Sequence, residues 1–400
     1  MRGTVLNVTE VVDVALGERS AQEVRRGTPD RYDADELPPP VVVWNVCRHC
    51  NMECPHCYAA ATATPSRFSL DGDEAAELID EMAEAGIRVV IFSGGEPLMR
   101  PDLFELISRA DRRGISCHLS TNGTLLDDQK ARRLADAGIG YVGVSIDGMP
   151  EFNDEYRGLE DGFERATRGI ECAREAGLRT GLRVTLTQHN LDHLPRLLEH
   201  AHAIDVERFY VSHLLDAGRG YAMSDADLDR SQCRATLRYL FEQTHPSERA
   251  EGAPDIVTGG NDSDGPFLVQ WLDEIAGGEA ARRAGSLLAS RGGNSAGVGL
   301  LNIDSRGAVH PDQFWRQCTL GEVRETPFAE ILEHPMRRKL ANRHDHVAGR
   351  CGDCRFFELC GGSHRERALA RHGDVWGSDP ACLMSDREIG VHEPETEVSS

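Results

Sequence analysis

The sequence predicts an α/β fold from three observations. Six short apolar runs, at 41–46, 88–92, 115–120, 140–146, 179–187 and 207–212, alternate with amphipathic stretches at 72–85, 101–112, 126–136, 161–176 and 191–203. Strand-like runs separated by helices of this length imply parallel βαβ units with the helices outside. Glycines stand where the helical patterns stop: Gly86 after EMAEA, Gly114 after ADRR and Gly177 after AREA. The length, 400 residues, is too great for one ordinary core and fits a large α/β domain with a smaller appendage. An open sheet and a partial barrel look alike at this level, and both bind ligands at the carboxyl ends of their strands.

Ahead of the first strand, residues 1–40 are mostly polar and charged and end in Pro38-Pro39-Pro40, which reads as an N-terminal extension with a stiff lead-in. Its opening, MRGTVLNVTEVVDVALGERS, lacks the apolar core and cleavage site of a signal peptide. No stretch approaches the ~20 apolar residues of a membrane span, so a cytoplasmic protein is expected. The net charge of −22 argues against a nucleic-acid partner, because a polyanion would be repelled. Lys130 and Lys339 are the only lysines, and an acid-rich, lysine-poor chain resembles those of extreme halophiles.

The twelve cysteines fit metal ligation in a reducing compartment better than a disulfide framework. Cys117, Cys172 and Cys233 fall in strand or helix patterns, where small buried hydrophobes are expected. Cys50, Cys54 and Cys57, followed by Tyr58, have the spacing C-x3-C-x2-C-aromatic just past the first strand. A 4Fe-4S cube has four iron corners, so three thiolates leave one iron open to a chelating ligand. A zinc knuckle completed by His49, His56 or Cys47, or a redox thiol set, fits the same local spacing.

The next strand ends carry small polar groups. The second ends in Ser93-Gly94-Gly95-Glu96-Pro97, where two glycines allow close backbone approach and Glu96 offers an acceptor for an ammonium. The third ends in Thr121-Asn122-Gly123, and the fourth in Ser145-Ile146-Asp147-Gly148 followed by EFNDEYRG with Arg157. Each alone reads as an ordinary turn. On the fifth, Arg183 and Thr185 alternate with apolar neighbours and point to one face. Far downstream, Cys351, Cys354, Cys360 and Cys382 supply four thiolates, enough to close an iron-sulfur cube or a structural zinc site.

Taken together, the segment CNMECPHCY and the ordered strand-end motifs resemble the radical S-adenosylmethionine (radical SAM) superfamily. The resemblance implies a partial (β/α)6 barrel over 41–220 and a 4Fe-4S cluster on Cys50, Cys54 and Cys57. That cluster reductively cleaves SAM to a 5'-deoxyadenosyl radical. It further implies SAM contacts from Tyr58, Gly94, Gly95, Glu96 (methionyl amino group), Asn122, Ser145 (ribose), Arg157 (carboxylate) and Arg183. The histidine that often precedes the Asp of the EFNDEYRG segment is Asn153 here. A linking helical region, 221–300, would lead to a small cysteine-rich SPASM- or twitch-like domain over 301–388, and 389–400 reads as an acidic tail. That domain implies a second, auxiliary 4Fe-4S cluster on Cys351, Cys354, Cys360 and either Cys382 or Cys318. Full SPASM domains read valine, any residue, proline, cysteine where this chain has Val309-His310-Pro311-Asp312, which argues for one auxiliary cluster. Asp312 is open to two readings, a surface residue or a general acid.

Residues 211–220, VSHLLDAGRG, and 292–315 look like the tetrapyrrole-modifying branch. That branch includes the 12,18-didecarboxysiroheme deacetylase of the alternative haem pathway and the radical SAM enzyme of haem d1 biosynthesis. It implies an iron tetrapyrrole substrate and an electron donor such as ferredoxin or flavodoxin. Arg219 is then a candidate grip for substrate carboxylates, and His213 and His310 are candidate ligands to the substrate's iron. A peptide maturase and an iron-sulfur scaffold or sensor are the alternatives from other classes.

Overall fold

A computed structural model describes residues 5–25, with Arg25 as backbone alone, and 37–391. The acidic tail from 392 on and parts of the N-terminal extension lie outside the described residues. Eleven strands form one sheet in the order β1-β8-β7-β6-β5-β4-β3-β2-β9-β10-β11. The six runs read from the sequence are β2 (Val41–Asn45), β3 (Val89–Ser93), β4 (Ser116–Thr121), β5 (Ile139–Ser145), β6 (Arg179–Thr185) and β7 (Arg208–Ser212). Each pairs in parallel with the next, and the sheet stays unclosed, as a partial barrel requires.

Crossover helices cover its outside: α3 (Gly72–Glu84), α4 (Leu103–Arg112), α5 (Asp128–Asp136), α7 (Gly162–Glu175) and α8 (Leu194–Ala203), while α6 (Pro150–Arg157) lies at the strand ends, where Arg157 lines the cavity described below. Local chemistry starts and aims them. Asp71 and Glu74 make a capping box at α3, which then turns Ala75, Leu78, Ile79 and Met82 onto the sheet. Those side chains join a continuous core in which Trp44 and Phe92 are fully buried with ring centroids 5.9 Å apart.

Three features depart from the sequence reading. The supposed N-terminal extension contains β1 (Leu6–Asn7) and a helix, α1 (Val8–Leu16), whose Val8, Val11, Val12 and Ala15 are buried at helical spacing. Asn7 caps its start, and Gly17, at φ +89°, ends it. A short second helix, α2 (Ala21–Arg25), follows. The region 221–300 holds helices α9 (Arg230–Thr244), α10 (Asp264–Ala276) and α11 (Gly278–Arg291). It also holds a further parallel strand, β8 (Asp255–Gly259), which extends the barrel beyond β7. Finally, β9 (Leu300–Ile303) pairs in parallel with β2, and Asn302 Nδ2 donates to Val43 O and to Asn45 Oδ1, both at 2.7 Å. The cysteine-rich segment is thereby stitched to the first barrel strand, and its hairpin, β10 (Ala308–His310) and β11 (Gly321–Glu322), continues the sheet.

Candidate active site

The carboxyl ends of the barrel strands open into a cavity of about 250 Å³. Cys50, Cys54 and Cys57 lie on one side of it, and Asn294, Ser295, Asp312, Phe314 and His364 of the later segment lie on another. The loop that carries the three cysteines is held from two directions. Beneath it, Gly95 N donates to Cys47 O, and a Cβ at Gly95 would stand 2.2 Å from His49 O, so only glycine admits this approach. Above it, the loop after β7 closes down: Gly218, at φ +56°, would place a Cβ 2.3 Å from Tyr58 O, and Arg219 N donates to Cys57 O.

Each of the three sulfurs receives at least one N–H. Asn122 Nδ2 lies 3.8 Å from Cys50 Sγ, Arg157 Nε 3.4 Å from Cys54 Sγ, and Ala61 N 3.5 Å from Cys57 Sγ. Donors aimed at sulfur are what cluster thiolates need. Burial pushes the Cys50 thiol up to about 11 and raises Cys54 as well, so positive iron is required to hold them as thiolates. These residues fit a three-thiolate 4Fe-4S cluster.

Behind the cysteines stands a charged support built on Asp147, which the sequence reading placed in a turn. Asp147 is fully buried, 3.1 Å from His56 Nε2 and 3.3 Å from Arg157 Nε. Burial alone would raise its carboxyl, but the charges of His56 and Arg157 outweigh it and hold the pKa down to about 2. Arg157 also donates to Ser145 O, which fixes the end of β5.

The expected SAM contacts gather on this wall with one change of role. Tyr58, Gly94, Gly95, Asn122, Ser145, Arg157 and Arg183 all line the cavity. Tyr58 Oη is held by Asn45 Nδ2 at 3.1 Å and Ser93 Oγ at 3.0 Å. Arg183 donates to Ser120 Oγ at 2.7 Å and lies over the Tyr210 ring. Glu96, the expected ammonium acceptor, is instead fully buried behind the wall. Its carboxylate takes Thr121 Oγ1 at 2.7 Å, Asn122 N at 2.8 Å and Leu98 N at 3.0 Å, tying the end of β3 to the end of β4.

The candidate substrate groups are also redistributed. Arg219 Nε donates to Cys54 O at 2.8 Å and Nη1 to Ala61 O at 2.6 Å, so it chiefly clamps the cysteine loop; buried Nη2 alone has no partner. His213 Nε2 binds Asp264 at 3.0 Å, and its Nδ1 lies 4.0 Å from Cys233 Sγ. Burial opposes protonation there, yet Asp264 carries the imidazole pKa up to about 10 and leaves no lone pair for iron. His310 Nδ1 bonds to Cys318 O and does not line the cavity.

At the second cysteine group the four sulfurs again each meet a donor: Asp379 N at Cys351, Phe356 N at Cys354, Gly362 N at Cys360 and the Arg350 side chain at Cys382. Cys351 and Cys354 each feel the charge of Cys382. The charge acting on Cys318 is that of Asp312, not of another thiol. This favours Cys382 over Cys318 as the fourth member of the group. Asp312 is buried rather than on the surface, with Oδ1 taking the N–H groups of Phe314 and Trp315.

An unclosed parallel barrel with three thiols at the end of its first strand defines a class, and the family model described as "Radical SAM superfamily" matches residues 44–201. The chain belongs to the radical SAM superfamily, whose enzymes use a 4Fe-4S cluster and SAM. Within it, the chain is similar over nearly its whole length to enzymes of haem biosynthesis. It is 40% identical to Fe-coproporphyrin III synthase of Methanosarcina barkeri, over 88% of this chain and 90% of that one. It is 39% identical to pre-heme d1 synthase of Dinoroseobacter shibae, over 91% of each. Among solved structures, Streptococcus suis SuiB bound to its precursor peptide SuiA superposes with a TM-score of 0.70 at 15% identity, covering 92% of this chain and 80% of that one. Native anSMEcpe with bound AdoMet gives 0.66 at 20% identity, covering 88% and 96%. At these identities the two structures bear on the fold alone. Among the described residues no helix is long and apolar enough to cross a membrane.

Proposed function

We propose that the chain removes the acetate side chains of 12,18-didecarboxysiroheme to give iron-coproporphyrin III. The observation that carries this reading is the 40% identity to an Fe-coproporphyrin III synthase across nine-tenths of that protein. The cavity supports it, because one wall carries the cysteine triad and strand-end groups while the other belongs to the later segment. A 4Fe-4S cluster on Cys50, Cys54 and Cys57, with SAM, supplies a hydrogen-abstracting radical when bound, fed by an electron donor such as ferredoxin or flavodoxin. Tyr58, Gly94, Gly95, Asn122, Ser145, Arg157 and Arg183 would surround SAM, with Glu96 bracing the wall from behind. Cys351, Cys354, Cys360 and Cys382 would hold an auxiliary 4Fe-4S cluster. Arg208, which also lines the cavity, adds a cationic group suited to a polycarboxylate.

A second reading, a haem d1-type side-chain modification of a siroheme derivative, draws on the 39% identity to a pre-heme d1 synthase. Peptide maturation has weaker support: the relatives named PqqA peptide cyclase are 28% identical or less. Anaerobic incubation with SAM, a reductant and 12,18-didecarboxysiroheme, read by mass spectrometry, separates these. Loss of both acetates is expected. A tetrapyrrole of unchanged mass while SAM is cleaved would overturn the proposal.

A further inference from the structure

Four histidines line the cavity: His56, His118, His213 and His364. If the substrate is an iron tetrapyrrole, as proposed above, its four ring nitrogens occupy the iron's equatorial plane, and only a protein group above or below that plane can reach the metal. Such a group must be neutral, must face the substrate and is best served by a carboxylate behind its second nitrogen.

Three of the four fail on position or chemistry. His56 belongs to the cysteine loop itself: although its Nε2 pairs with Asp147 and its Nδ1 is buried without a partner, the ring stands one residue from Cys57 and stacks on Tyr156 at 5.2 Å. His118 sits three residues before the end of β4, below the layer of Ser120 and Thr121, and its Nε2 faces Ser116 at 3.4 Å. His213 is a buried cation locked to Asp264.

His364 differs in position. It comes from the later segment and so faces the cavity from the wall that lacks the cysteine triad. It is 7% exposed, and its Nδ1 is buried without a hydrogen-bond partner. Asp312 Oδ2 lies 3.9 Å from Nδ1 and Asp262 Oδ2 lies 3.9 Å from Nε2, so a carboxylate stands by each nitrogen without binding it. Burial, and after it the nearby Arg367, lowers the imidazole pKa to about 3, leaving the ring neutral with a lone pair available. Phe314 stands edge-on to His364 at 6.0 Å and packs edge-on against Tyr58 at 5.5 Å, which links this wall to the residue beside Cys57.

We infer that His364 is an axial ligand to the iron of the bound tetrapyrrole, with Asp312 or Asp262 holding the N–H of its other ring nitrogen. The site therefore selects iron-loaded over metal-free macrocycles.

The probes are ferric coproporphyrin III and metal-free coproporphyrin III, titrated anaerobically into the cluster-loaded full chain and followed by Soret absorption and EPR. Wild-type protein should bind the iron form with a nitrogen-ligated spectrum and bind the metal-free form more weakly. His364→Ala should lose that signature and about 10- to 100-fold of affinity for the iron form, with little change for the metal-free form. Added imidazole should restore the signature, and unchanged cluster iron content would show that the variant has folded. An unaltered axial spectrum in His364→Ala overturns the ligand assignment while leaving the proposed reaction standing, as does a variant that keeps the spectrum and loses only turnover. Failure of the wild-type protein to bind ferric coproporphyrin III overturns this inference; the deacetylation assay, run separately, decides the reaction itself.

Discussion

The two cysteine sites use one local device for different ends. In both, every sulfur receives an N–H from the surrounding chain, in the barrel from Asn122, Arg157 and Ala61, and in the later segment from Asp379, Phe356, Gly362 and Arg350. They differ in number and in what faces them. On the proposed assignment, three thiols at the barrel mouth would leave one iron of a cube free for a ligand, whereas four thiols in the later segment would leave none. On that assignment, the thiol count sets whether each site can take a ligand.

Breaking the open site should have the largest effect. Replacing Cys50, Cys54 and Cys57 together by Ala should abolish reductive SAM cleavage, whereas Cys354→Ala should lower iron and spare SAM binding. Production of 5'-deoxyadenosine by the triple variant at the wild-type rate would end the radical assignment. Next in size is the iron count. Loaded protein should hold about eight irons per chain, falling to about four in Cys382→Ala and staying near eight in Cys318→Ala. The reverse outcome would move the fourth ligand to Cys318.

The support behind the open site gives a smaller, pH-dependent effect. The folded pKa of Asp147, about 2, lies below its ordinary value of 3.8. Its contribution, roughly 2 kcal/mol, is therefore fully present well above pH 4 and is lost as the pH falls through 2. Asp147→Asn should lower stability at neutral pH and flatten the acid limb of a denaturation-versus-pH curve. Arg219→Ala, which unclamps the cysteine loop, should cost about 2 kcal/mol of stability and slow SAM cleavage along with substrate turnover. Cleavage at the wild-type rate would return Arg219 to a substrate role. Smallest is Cys47→Ala. That thiol is outside the triad spacing, donates to Glu96 O at 3.2 Å and is pushed up to about 12, chiefly by burial, so cleavage should stay nearly intact.

Strands β2 to β7 were legible because each is a compact apolar run between helices of regular period. The helix α1 was missed although its valines sit at helical spacing, because polar flanks and the proline run at 38–40 dominate the impression of residues 1–40. Strand β8 is short, DIVTG, and reads as loop until β7 stands beside it. In the site, the cysteines could be read since their spacing is local. His213 with Asp264, Asp147 with His56, and His364 with Asp262 and Asp312 could not, because the fold joins them across 50 to about 100 residues.

The pairing of β9 with β2, and of β1 with β8, has a consequence for how the chain is made. Each flank of the barrel is covered by a strand about 250 residues away in sequence, as the bonds Asn302 to Val43 and Asn7 to Asp255 record. A nascent chain that has emerged only as far as β7 carries a bare edge at β2 and has nothing yet against which α1 and β1 can dock. Closure of such distant ladders is slow and leaves transient intermediates prone to aggregate. Truncation before residue 300 should therefore yield not a smaller working barrel but an insoluble one.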